Sequence, residues 1–183
     1  TNNNKTSFGN LDITVADNGS ATAFFQDGGA LTITGTTNLS VANNGTSTNT
    51  AFNTTNLSEM TLGNVNIGVD TDGNATGTFA NGMDINGGKL SSAGDVKINN
   101  IAQGGTAINF NNVTMAEGNA IASVTINGSQ ANGIVLSGSD FRVANATTVT
   151  GSTDSSFSAT NMTADNISSF GDTLTINSTS HDI

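Results

Sequence analysis

The chain predicts an all-β fold, a right-handed, three-faced parallel β-helix of about six to seven coils of roughly 27 residues each. Three observations predict it. First, a small-residue step into an apolar position recurs as Thr22-Ala23-Phe24, Thr50-Ala51-Phe52, Gly77-Thr78-Phe79, Thr106-Ala107-Ile108, Asn132-Gly133-Ile134 and Ser155-Ser156-Phe157, with the apolar residues 28, 27, 29, 26 and 23 positions apart. A unit of that length cannot bury its own apolar side, so neighbours must stack. Second, short stretches of alternating apolar and polar residues follow each step, as half-buried strands require. Third, the 183 residues contain no proline, which suits strands that must donate every backbone N–H to the coil above or below.

Each element can be placed in turn. Phe24, Phe52, Phe79, Ile108, Ile134 and Phe157 form the first predicted column, a ladder in the core. A second reads Leu31/Ile33, Leu57, Met83/Ile85, Val113/Met115, Phe141/Val143 and Met162. The third reads Leu11/Ile13, Leu39/Val41, Val65/Ile67, Val96/Ile98, Val124/Ile126, Val149 and Leu174/Ile176. Gly35, Gly87, Gly128 and Gly151 each stand two residues beyond a strand's last apolar residue, where a corner needs a permissive backbone. Coils spaced at roughly 4.8 Å then build a rod roughly 30 Å long. A sandwich is disfavoured, because its strands do not return to one side-chain type at a near-constant interval.

The length suits a single domain over residues 1–183, with 1–6 and 178–183 as tails or caps. The 34% hydrophobic content is thin for a central globular core but enough for a narrow column. Four Lys and Arg against fourteen Asp and Glu give a net charge of −10, which repels phosphate backbones and anionic lipid, so neither nucleic acid nor a membrane is an expected partner. No cysteine is present, so disulfides and thiol chemistry are excluded. Nothing apolar approaches the ~20 residues of a membrane span, and the start Thr1-Asn2-Asn3-Asn4 lacks the layout of a signal peptide. An exported form would therefore be a processed chain or an excised segment.

Few residues offer chemistry. Asp70, Asp72 and Asn74 alternate as oxygen ligands for calcium would, but Ala75 stands where the calcium loop needs glycine and Asn81 where it needs glutamate. A solvated polar corner is the competing reading, and no other cofactor is implied. Asn-X-Ser/Thr triplets begin at Asn38, Asn53, Asn56, Asn112, Asn127 and Asn161 among others, each a formal glycan acceptor or a corner asparagine bonding the main chain. His181 is the lone histidine and stands third from the end of the sequence. Glu59, Glu117 and the aspartates are the only material for a polysaccharide-cleaving acid/base pair, and the aromatic platforms that bind sugar are poorly supplied, with no Trp or Tyr. Thr32/Thr34 and Thr148/Thr150 hint at an ice-binding Thr-X-Thr face, against which stand the charges of Asp12, Asp84, Lys97 and Arg142.

Segments such as Thr106-Ala107-Ile108-Asn109-Phe110-Asn111-Asn112-Val113-Thr114 and Asp172-Thr173-Leu174-Thr175-Ile176-Asn177 resemble the β-helical passengers of bacterial autotransporters and two-partner-secreted filamentous haemagglutinin-like adhesins. The resemblance implies a non-enzymatic structural or adhesive rod, extracellular or on the cell surface, whose partners are host or matrix surfaces or itself. Ser7-Phe8-Gly9-Asn10-Leu11-Asp12-Ile13 near the start is echoed by Ser169-Phe170-Gly171-Asp172-Thr173-Leu174-Thr175-Ile176 near the end. Two readings follow: a subunit stacking head to tail through Phe8, Leu11 and Ile13 against Phe170, Leu174 and Ile176, or a segment of a longer solenoid. Receptor contacts are expected on the longer coils, at Asn43 to Asn49 and Asp70 to Gly77.

Overall fold

A computed structural model describes residues 4–16, 21–42, 45–69 and 76–178. Within them the chain is an all-β parallel solenoid of about six turns with a repeat of about 27 residues. Three ladders of strands run along it. Ladder one contains β3 (Phe24–Asp27), the first parts of β6 (Thr46–Leu62) and β8 (Thr78–Asn99), β9 (Thr106–Thr114), β11 (Asn132–Ser137) and β14 (Ser155–Thr160). Ladder two contains β1 (Lys5–Phe8), β4 (Ala30–Ile33), the later parts of β6 and β8 with the end of β9 beside β8, then Ile121 at the start of β10 (Ile121–Asn127), β12 (Phe141–Val143) and β15 (Ser168–Phe170). Ladder three contains β2 (Leu11–Val15), β5 (Thr37–Val41), β7 (Val65–Ile67), the end of β8, the rest of β10, β13 (Thr147–Thr150) and β16 (Leu174–Asn177).

Ladder three is the most regular, because its strands carry two inward β-branched or leucine side chains separated by one outward polar residue. Ile13, Leu39, Ile67, Ile98, Ile126, Val149 and Ile176 make one unbroken column. Leu11, Thr37, Val65, Val96, Val124, Thr147 and Leu174 make its neighbour. Leu39 thus lies over Ile13 and Val41 over Val15, one pair further along than the alternation alone suggests. Thr37 and Thr147 are fully buried with hydroxyls that have no hydrogen-bond partner. Valine already occupies this column next to both, at Val65 and Val124. Thr37→Val and Thr147→Val each therefore raise stability, by about 1 kcal/mol for removal of an unsatisfied buried hydroxyl. Chemical denaturation reads this as a higher midpoint at unchanged slope.

Ladder one corrects one residue of the predicted core column. Phe24, Phe52, Ile108, Ile134 and Phe157 are joined there by Met83, not Phe79. The small-residue step of that coil is Asn81-Gly82-Met83, where Gly82 has no room for a side chain because a Cβ would fall on the Ala107 carbonyl. Phe79 lies four residues earlier, beside Ser47 and Ile101, and fills the corner between ladders three and one, fully buried. The shift has a physical origin: eleven positions separate Ile67 from Thr78 where seven separate their partners Leu39 and Thr46, and the register slip between Ser47 and Thr50 takes back only one of the four extra residues. It also moves Met83 and Ile85 from the second predicted column to ladder one, leaving Leu90 over Met60 on ladder two. Met162 likewise leaves the second column; it is 36% exposed in the connection to β15, and Phe170 lies over Val143 instead.

The corner from ladder one to ladder two is built from left-handed backbone in every described coil. Gly28, Asn56, Gly87, Asn112, Gly138 and Asn161 all have φ between 54° and 75°, each directly after a residue paired to its counterpart in a neighbouring coil. Only Gly and Asn occupy that region at low cost, which explains the identity of all six. They alternate strictly. An added Cβ on Gly138 would lie 3.0 Å from Asn112 Oδ1, so the Asn112 amide occupies space that Gly138 leaves, whereas one on Gly87 would stand in ordinary contact with Asn56 Oδ1 at 3.5 Å.

Candidate functional site

Polar side chains on the outside of the coils bond mainly to the coil above or below. On ladder three, Asn38 Nδ2 donates to Asp12 at 2.6 Å and Asn66 Nδ2 donates to Asn38 at 2.8 Å. Further along, Asn127 Nδ2 donates to Asn99 at 3.3 Å and the Thr150 hydroxyl to Asn127 at 2.8 Å. On ladder one, Asn109 Nδ2 donates to Asp84 at 3.0 Å and Asn111 to Asn86 at 3.3 Å. Such stacked amides follow from strands that superpose like positions at one interstrand spacing. Half-burial raises the Asp84 carboxyl above its ordinary value, and the Asn109 amide partly opposes that.

Carboxylates follow the same rule. Glu59 accepts from the Ser91 hydroxyl at 2.6 Å and lies 3.8 Å from Lys89 Nζ. Asp95 accepts from Ser123 at 2.7 Å. The largely buried Asp140 ties three coils together, since Oδ2 accepts from the Met115 N–H at 2.8 Å and Oδ1 from the Ile167 N–H at 2.9 Å. Arg142 donates to the carbonyls of Met115 and Ala116 at 2.7 and 2.8 Å, anchoring the turn that carries Glu117. Glu59 and Glu117 lie two coils apart and share no partner. Among the described residues, no group of three His, Cys, Asp or Glu side chains is arranged to hold a metal. No helix among them is long and apolar enough to cross a membrane.

The other residues singled out by sequence are placed as follows. Asp70, Asp72 and Asn74 lie outside the described residues, as does His181. Thr148 and Thr150 face outward on ladder three, whereas Thr32 belongs to ladder two and the Thr34 hydroxyl turns to the Phe8 carbonyl, so the two threonine pairs share no plane. Of the formal glycan acceptors, Asn56, Asn112 and Asn161 carry the left-handed corner. Asn43 and Asn44 fall outside the described residues, while Thr46 to Asn49 are part of β6. A shallow depression of about 370 Å³ opens on ladder two where Ala30 separates Lys5 from Glu59, with Ser7, Thr32 and Thr61 around it.

The strand pairing among the described residues stops on one side at each end of the rod. Among the described residues, β1, β2 and β3 are each paired on one side only, as are β14, β15 and β16. Phe8 packs edge-on to Phe24, with ring centroids 6.3 Å apart at 84°. At the other end Phe157 packs edge-on to Phe170, 5.7 Å apart at 73°. Leu11 and Leu174 terminate one ladder-three column, Ile13 and Ile176 the other. This pairing of aromatic residues across ladders was not readable from sequence; the only signal was the recurrence of Ser-Phe-Gly at positions 7 and 169. No known protein family, curated protein or solved structure matches the chain at a significant level.

Proposed function

We propose that the chain is a non-enzymatic structural and adhesive rod working outside the cell or on its surface, wound in the right-handed sense usual for parallel connections. The observation that carries this reading is the destination of its ionisable and amide side chains. Asp12, Glu59, Asp84, Asp95 and Asp140 each bond to a neighbouring coil. Side chains used in that way add axial stiffness and leave few groups converging on a substrate. The acidic balance of −10 keeps a long uniform surface soluble and discourages lateral pairing. The resemblance to bacterial surface passengers supports the same setting.

The test is incubation of the purified chain with acidic and neutral polysaccharides and with immobilised matrix glycoproteins. Saturable retention on a glycan or matrix surface, with no new reducing ends, is the expected result. Turnover that is lost in Glu59→Gln would overturn the reading in favour of a polysaccharide-cleaving enzyme acting at the depression beside Lys5.

A further inference from the structure

We propose that the two end faces of this chain bind each other between copies, so that the Phe8, Leu11 and Ile13 end of one molecule sits on the Phe170, Leu174 and Ile176 end of the next. This goes beyond the rod reading and depends only on coil-on-coil geometry. A second copy is the occupant because the junction continues an interface the molecule already contains.

Column membership fixes the register. Leu11 and Leu174 stand at opposite ends of one column and Ile13 and Ile176 at opposite ends of another. Phe8 lies over Ile33 at the first end of ladder two and Phe170 over Val143 at the last. Placing one copy on the next without rotation brings Phe to Phe, Leu to Leu and Ile to Ile. The molecule already tolerates such a contact, since Phe24 stacks on Phe52 with centroids 5.0 Å apart. Outward residues match as well: Asp12 meets the Thr175 hydroxyl, and Thr14 meets Asn177 as Thr150 meets Asn127 inside the rod. The corners agree too. Gly171-Asp172-Thr173 would lie beneath Gly9-Asn10, the same longer-below-shorter order as Thr34-Gly35-Thr36 beneath Gly63-Asn64, where the Gly63 N–H donates to Ile33 at 2.6 Å. Ladder one keeps one open row at the junction, because the first described strand stands on ladder two.

Exposure sets these faces apart from the interior of the rod. Leu174 is 39% exposed, whereas Val65 and Val96 in its own column are 0% exposed. Phe8, Leu11, Ile13, Phe157, Phe170 and Ile176 are all half-buried where their interior counterparts are buried. The contact is heterologous and does not close, so it builds a filament.

Two substitutions at opposite ends test the register. Leu174→Asp and Leu11→Lys each place a charge opposite leucine at the junction, and both sites are exposed enough for the fold to hold, which circular dichroism checks. The unsubstituted chain is expected to form fibres with about 34 Å of axial rise per copy, seven rows at roughly 4.8 Å, and no rotation between copies. Each variant alone loses on the order of 100-fold in association, the penalty for burying an unpaired charge. An equimolar mixture of the two recovers fibres, because the carboxylate introduced by Leu174→Asp in one copy then faces the ammonium introduced by Leu11→Lys in the other at alternate junctions. Single rods of the unsubstituted chain at all concentrations in sedimentation overturn the proposal. So do variants that assemble as well as the parent, a mixture that stays dispersed, or fibres whose copies are rotated.

Discussion

Phe52→Ala is expected to cost about 3–5 kcal/mol, the penalty for truncating a fully buried aromatic residue that the surroundings cannot close over. Phe52 is 0% exposed, stacks on Phe24 at an interplanar angle of 15°, and lies between Phe24 and Met83 in the ladder-one column. Each coil touches only its neighbours, so the damage is local. The first coils should open before the remainder, and hydrogen exchange should show β2 to β5 losing protection while β10 and β11 keep theirs. Phe52→Leu, which keeps most of the volume, should retain most of the stability. Uniform loss of protection along the whole rod would contradict the stacked-coil account.

Gly151→Val is expected to detach the last coil, at a cost of more than about 3 kcal/mol. Two constraints coincide at this residue. Its φ is 77°, a region that a β-branched side chain rarely adopts, and a Cβ there would fall on the Gly128 carbonyl oxygen of the coil beneath. That obstacle is backbone, so no rotamer change relieves it. Proteolysis with an unspecific protease should trim the variant to a core ending near β13, while the parent resists. Gly9→Ala is the control for dispersed single rods: nothing within one molecule lies within 4 Å of its added Cβ, and the change in their stability should stay within about 0.5 kcal/mol.

How much of this was readable varied from ladder to ladder. Ladder three was the most legible, because Val65/Ile67, Val96/Ile98 and Val124/Ile126 repeat one apolar-polar-apolar pattern at an interval set by the coil. Ladder one misled in a single coil, where Phe79 and Met83 lie four residues apart and both follow small residues; only the pairing of Met83 with Phe52 and Ile108 decides between them. Ladder two was obscured by the connection after Asn161, whose Met162 imitates a core residue but points to solvent. The left-handed corner was legible only in pieces, Gly87 as a corner glycine and Asn56, Asn112 and Asn161 as corner asparagines, because its column is defined by a backbone angle and not by a residue type. Treating Gly and Asn as equivalent would have exposed it, since Gly28, Asn56, Gly87, Asn112, Gly138 and Asn161 track the coil period. The likeness of the two ends was legible outright; the edge-to-face aromatic pairs behind it were not, because Phe8 and Phe24 belong to different ladders.

The strict exchange of glycine and asparagine along that corner makes the true building block a doublet. Deleting or duplicating one coil would set two asparagines, or two glycines, against each other, and a side chain set at the position of Gly138 would crowd the Asn112 amide. Genetic slippage by about 54 residues, two coils of roughly 27, keeps the parity intact. Homologous rods should accordingly differ in height by increments of about 10 Å, twice the separation of adjacent strands.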